Sequence, residues 1–188
     1  FPVFRTKTEG VAEAFNLNDP AGRRNYFDAK AGDAIKKLRS YLKEKTFVAF
    51  LIGKKNSGKG TYSKLFMEAV GVKNIGHIAV GDIVRDIHTG LSDAKKREEL
   101  IRFLKENYRG FHPIEDLEAI ITGRSTTTLI PSELIVTLLK YEISKRPKQA
   151  LFIDGFPRAL DQVNYAIFLK EILGYQDHPD ILVFIDVP

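Results

Sequence analysis

At 188 residues and 44% hydrophobic, the chain is long enough for one domain with a buried core, and a second independently cored domain is not expected. It contains no cysteine, which excludes disulfides and thiolate metal sites within these residues and fits a reducing, cytoplasmic setting. The formal charge of +5 and pI near 9.3 favour anionic partners, either nucleic acid or a small polyphosphate, but the basic residues are balanced locally by acids, as in Lys95-Lys96-Arg97-Glu98-Glu99. That run reads as a solvated helix face, so nucleic acid is not expected. The longest apolar stretch, Phe47 to Ile52, is too short to span a bilayer, and no signal-peptide pattern is visible within these residues. The first residue is Phe1, so the sequence reads as a trimmed chain.

Residues 1–45 form an expected N-terminal helical extension. Asp19-Pro20 supplies an N-cap followed by proline at the first helical position. Ile35, Leu38 and Leu42 recur at helical spacing as a stripe that packs on the main domain, and Gly32-Asp33 can divide the stretch in two. Beyond it, short apolar runs alternate with helical patterns. Phe47 to Ile52, Ile75 to Val80, Ala150 to Ile153 and Ile181 to Ile185 read as strands. Thr61 to Val70, Glu133 to Lys145 and Leu160 to Leu173 read as helices. The alternation implies an α/β fold with a parallel sheet and helices on both faces.

Between the first strand and its helix lies Gly53-Lys54-Lys55-Asn56-Ser57-Gly58-Lys59-Gly60-Thr61. In a glycine-rich strand–loop–helix turn, successive backbone N–H groups wrap a phosphate and the helix N-terminus adds a favourable field. Lys59 is placed to reach the β and γ phosphates. Gly60 stands where the strict P-loop pattern has Ser or Thr, and the G-x-G-x-x-G of a dinucleotide fold is absent.

Farther along, Leu151-Phe152-Ile153-Asp154-Gly155-Phe156-Pro157-Arg158 ends a buried strand on a carboxylate at the sheet's carboxyl edge. There Asp154 can hold Mg²⁺ through water, while Gly155 and Pro157 turn the chain and project Arg158 toward the crevice. A planar guanidinium suits bidentate phosphate binding.

Gly58-Lys59-Gly60-Thr61 and the run through Arg158 to Gln162 resemble the adenylate kinase and nucleoside monophosphate kinase family. Two further segments agree. Val80-Gly81-Asp82-Ile83-Val84-Arg85 resembles the family's Thr-Gly-Asp-x-x-Arg, and Leu129-Ile130-Pro131-Ser132-Glu133-Leu134 resembles its Leu-Val-Pro-Asp-Glu-Leu. The four matches fall in family order from Phe47 to Pro188. The resemblance implies a P-loop NTPase-type core over residues 46–188 with a helical acceptor-binding insertion near 82–133. It implies a monomeric phosphotransferase using ATP, Mg²⁺ and a nucleoside monophosphate. Asn56, Ser57, Gly58, Lys59, Gly60 and Thr61 would bind ATP; Val80, Arg85, Thr128, Leu129, Ile130, Gly155, Arg158 and Gln162 would bind the acceptor. Lys59, Arg85, Arg158 and Asp154 would carry catalysis, and Asp82 and Asp154 would lie near the metal.

Gln162 leans toward AMP, since relatives acting on pyrimidine monophosphates more often have Asn there. UMP or CMP, another small acceptor, or a non-catalytic nucleotide-binding role are the alternatives. Three departures from the family pattern stand out. Asn56 replaces a usual glycine, and Val80 replaces a threonine. About twenty residues are added around 93–118, expected as a helix and turn from which Tyr108, Arg109 or His112 could touch the acceptor. The family's lid, last strand and final helix would lie beyond Pro188, so residues 1–188 alone are expected to turn over hardly at all. The four histidines lack paired metal spacing, and zinc is not expected.

Overall fold

The computed structural model describes residues 15–71, 75–123, 130–174 and 180–186. Four strands, β1 (Val48–Ile52), β2 (Ile75–Ala79), β3 (Ala150–Asp154) and β4 (Asp180–Phe184), form one parallel sheet in the order β2-β3-β1-β4. Helices α1 (Pro20–Tyr41), α2 (Lys59–Val70), α3 (Val80–Gly90), α4 (Ala94–Asn107), α5 (Ile114–Ile121), α6 (Ser132–Ser144) and α7 (Leu160–Leu173) flank it. This is the α/β, P-loop NTPase-like architecture read from the sequence. No helix among the described residues is long and apolar enough to cross a membrane.

The strand pleat divides the core in two. Val48 and Phe50 of β1 and Leu151 and Ile153 of β3 pack on one face with α3 through α7. Ala49, Leu51 and Phe152 point the other way, joining Phe47, Val70 and Leu42 under α1 and α2. Burial on both faces is why these strands read as unbroken apolar runs.

The N-terminal helix begins as its sequence dictates: Asp19 Oδ2 accepts the Gly22 N–H at 2.9 Å, with Pro20 at the first position. It continues through a kink at Ala31, just before Gly32-Asp33, so the expected division is a bend in one helix. Ile35 and Leu42 are buried and Leu38 packs beside them. Arg39 clasps the far end of α2, donating to the carbonyls of Val70 at 2.6 Å and Ala69 at 3.0 Å, where the helix leaves its last acceptors unsatisfied. Arg23 forms a half-buried ion pair with Glu68 at 3.0 Å.

The added segment holds two helices, α4 and α5, where a helix and turn were expected. Asp93 caps α4 through the N–H groups of Lys95 and Lys96, and Leu100 and Leu104 enter the main core. Lys95 to Glu99 lie exposed along α4, as the charge pattern implied.

The expected fourth strand differs in its environment. Leu182 is 67% and Phe184 65% exposed, whereas Ile75 and Ile78 of β2, which like β4 has a single neighbour among the described strands, are buried. Beside β4 the sheet face opens into a groove of about 600 Å³ lined by Tyr41, Phe47, Phe66, Phe152, Ile181 and Val183.

His77 of β2 is packed against the sheet, and its Nε2 has no hydrogen-bond partner among the described residues. Burial pushes its imidazole below the ordinary value, against the opposing pull of the Asp154 and Asp82 carboxylates. A depressed histidine stays neutral when folded and binds a proton more readily when unfolded. Its contribution is therefore complete above about pH 6.5, the unfolded value, and is lost as pH falls below it. His77→Asn should flatten the decline in urea midpoint between neutral and mildly acidic pH; the same decline in variant and wild type would show that another group governs it.

Candidate active site

The loop between β1 and α2 is built around backbone geometry that few residues tolerate. Gly53 lies against the chain just past β4, where an added Cβ would sit 2.5 Å from the Ile185 carbonyl oxygen and 2.8 Å from Ser57 Oγ. Ile185 N–H in turn donates to Ile52 O at 2.8 Å, which fastens the end of β4 to the start of the loop. Asn56 adopts the left-handed region at φ 65°, the conformation a glycine would favour, which Asn tolerates better than most residues. Gly58, at φ 90°, caps α2 without a side-chain bond, so the first N–H groups of the helix face the loop's concavity unscreened by a capping side chain.

Lys59 opens α2 and turns inward. Its Nζ donates to Gly53 O at 3.1 Å and Lys54 O at 2.8 Å, and stands 4.0 Å from Asp154 Oδ1. Its ammonium is thus held over the loop by the loop's own carbonyls. Ser57 is buried inside the turn, while Gly60 and Thr61 follow Lys59 in the first turn of α2, with Thr61 exposed.

Asp154 ends β3 beside Leu51 of β1, so it reaches the same edge as the loop. Gly155, at φ 81°, turns the chain, and Arg158 folds back so that its guanidinium lies over Gly155, where a Cβ would be 2.5 Å from it. Gln162 is buried, and its Oε1 accepts the Arg158 backbone N–H at 2.8 Å. That bond fixes the amide's orientation and leaves its NH₂ group as the donor still available.

A crevice of about 770 Å³ gathers these groups. Lys59, Asn56, Asp154, Gly155 and Arg158 line it, joined by Lys54, Lys55, Phe184, Ile185 and Asp186. Lys54, Lys55 and Asp186 were not singled out from the sequence. The two lysines stand in the variable positions of the loop motif, and Asp186 is visible only as the first carboxylate after the last apolar run.

The expected acceptor residues are less fully assembled. Arg85 donates to Asp82 at 2.9 Å on the exposed side of α3, and neither lines the crevice. Val80 is buried in the main core, so its side chain faces other apolar groups. Ile130 is half-buried ahead of α6; Thr128 and Leu129 lie outside the described residues. Tyr108 is buried against Gly110 and packs in the core, with burial raising its phenol above the ordinary value. Arg109 donates to the carbonyls of Tyr108 and Glu106, and His112 is exposed.

Mg²⁺ favours oxygen ligands and retains water, so one or two carboxylates facing a phosphate site make a fitting donor set. Asp154 and Asp186 meet that description on opposite sides of the loop, whereas Asp82 is engaged by Arg85. No group of three metal-ligating side chains occurs among the described residues.

No protein-family model matches the chain. Individual relatives do. A protein named UMP-CMP kinase 2 from Oryza sativa subsp. japonica is 28% identical over 145 residues, 77% of this chain and 47% of that protein. A protein named adenylate kinase from Thermotoga neapolitana is 33% identical over 144 residues, 76% of this chain and 53% of its own length. Another of that name, from Parabacteroides distasonis, is 32% identical over 125 residues, 66% of this chain and 51% of its own. The chain belongs to the nucleoside monophosphate kinase family. It spans about half the length of the curated relatives it matches.

The left-handed turn at Asn56 generates a stability test. Asn56→Val should cost about 1–2 kcal/mol, the penalty for a β-substituted residue in that region, whereas Asn56→Gly should be nearly neutral. Thermal melts showing Val and Gly variants equal to each other would contradict the loop conformation.

Proposed function

We propose that the protein transfers the γ-phosphoryl group of ATP to a nucleoside monophosphate, with AMP as the acceptor. The observation that carries this reading is the meeting of Lys59, Asp154 and Arg158 in one crevice at the carboxyl edge of the sheet. Phosphoryl transfer needs no covalent intermediate; it needs an in-line geometry and cations where negative charge accumulates. On this reading the N–H groups of Asn56 through Thr61 cradle the donor's phosphates, and Lys59 exchanges its loop carbonyls for phosphate oxygens. Arg158 holds the acceptor's phosphate from the opposite wall. Asp154, with Asp186 across from it, would hold Mg²⁺ through water, and the metal would neutralise charge on the donor phosphates when bound.

Arg85 joins the acceptor site on this reading by leaving Asp82. Both partners are more than half exposed, so their pair holds Arg85 by only about 0–1 kcal/mol, less than a charge-assisted bond to phosphate offers. Val80, Thr128, Leu129, Ile130 and Gly155 would shape the pocket around the acceptor. Residues 1–45 are proposed as an extension and 82–133 as the acceptor-binding insertion on a core of 46–188.

The choice of AMP rests on Gln162. Its oxygen is engaged by Arg158, so its free NH₂ would donate to an acceptor atom on the base. A pyrimidine acceptor is the second reading, favoured by relatives that bear the name UMP-CMP kinase.

Two measurements on the full-length protein test these assignments. In a coupled assay of ADP formation, Lys59→Met and Arg158→Ala should each lower kcat/KM on the order of a hundredfold or more. Normal turnover by Arg158→Ala with every monophosphate would mean that the acceptor lies elsewhere. No turnover by the wild type with any monophosphate would favour a nucleotide-binding role without catalysis. Over the same panel, Gln162→Asn should shift preference among bases with a milder loss of rate, and an unchanged ranking would remove Gln162 as the base reader.

A further inference from the structure

Three lysines of the phosphate loop line the crevice, but the structure accounts for only one of them. Lys59 is held by two carbonyls and faces Asp154. The ammonium groups of Lys54 and Lys55 make no hydrogen bond or ion pair among the described residues, and both side chains are exposed. The crevice lining comprises four cationic side chains and two carboxylates, one of the carboxylates already facing Lys59. The cavity therefore carries an excess of positive charge concentrated on one short loop. Adjacent like charges gain nothing from each other; an anion placed between them removes the repulsion and gains charge-assisted hydrogen bonds.

We propose that Lys54 and Lys55 form a second cationic grip on the terminal phosphates of the donor nucleotide, supplied by the loop itself. The inference rests on the reading of this loop as the donor site. Its direction follows from position. The two residues precede the left-handed turn at Asn56 and stand on the loop's own wall, whereas Arg158 approaches from the far side with the Gly155 turn. A flexible stem carrying a point charge with three donors can follow the donor's outer phosphates without a fixed geometry. The grip thus discriminates by charge: a triphosphate engages it fully, a diphosphate in part, and a monophosphate held by Arg158 not at all.

The test is calorimetric titration of the full-length protein with ATP, ADP and AMP, each at low and moderate salt. Variants are the Lys54→Gln/Lys55→Gln pair, the charge-retaining Lys54→Arg/Lys55→Arg pair, and Lys59→Met. The glutamine pair should weaken ATP about tenfold and ADP less, leave AMP unchanged and flatten the salt dependence of ATP binding. The arginine pair should restore ATP affinity. Wild-type ATP affinity in the glutamine pair, with affinity lost in Lys59→Met, overturns the grip and leaves the donor site standing. Wild-type affinity in Lys59→Met as well overturns the donor site and the grip together. An equal loss for ATP and AMP overturns the grip as a donor-specific device.

Discussion

The site depends on one constraint: β1 lies between β3 and β4 and runs parallel to both. Parallel strands put their carboxyl ends on a single edge, and neighbours are separated by about 4.8 Å. The loop leaving β1 is consequently flanked by the residue ending β3, Asp154, and by the chain leaving β4 at Ile185 and Asp186. Gly53 shows how tight the junction is, since even one methyl group would meet the Ile185 carbonyl. An antiparallel neighbour would bring an amino end to the same place and carry its carboxylate to the opposite edge of the sheet. The clustering of Lys59 with Asp154 is in this sense a property of strand order before it is a property of any side chain.

Strand order also explains how much was legible in the sequence. Runs such as Val48–Ile52 and Ala150–Asp154 are apolar throughout because both faces are covered, and that pattern with an intervening glycine-rich loop specifies its own neighbours. The cap at Asp19-Pro20 was equally readable, since it is a local preference satisfied locally. Which residues of β4 stand exposed was not. An apolar run looks the same whether a second layer covers it or water does, and the distinction lies in tertiary contacts that composition does not encode. The division of the added segment into two helices was missed for a related reason: α5 has only eight residues, and its buried Leu117, Ile120 and Ile121 give too short a period to separate from a turn.

Motif reading located chemistry at fixed positions and passed over the variable ones. Lys54 and Lys55 occupy places where the loop pattern accepts any residue, and only their shared cavity with Lys59 draws them into the site. Val80 shows a second thing that spacing leaves open. It opens α3 directly after β2, and its side chain is buried in the core with Ile78 and Ile83, so on the proposed reading it would border the acceptor through its backbone. Sequence spacing fixes which residue stands at a position, and backbone direction decides what that residue faces.

The same distinction separates the two arginines expected to hold an acceptor phosphate. Arg158 has a fixed backbone and a side chain already in the crevice: its N–H is bound by buried Gln162, and its exposed guanidinium lies over a glycine that offers no obstruction. Arg85 sits on an exposed helix and is paired with the carboxylate one turn before it. On the proposed reading, one half of the acceptor site is built in advance and the other is assembled when phosphate competes for Arg85. The energetic difference favours this order. The exposed Asp82 pair yields Arg85 at a cost of about 0–1 kcal/mol, and the Arg158 guanidinium has no such pair to break among the described residues. On the proposed reading, a phosphate would meet Arg158 already in the crevice and would draw in Arg85 by competing with Asp82.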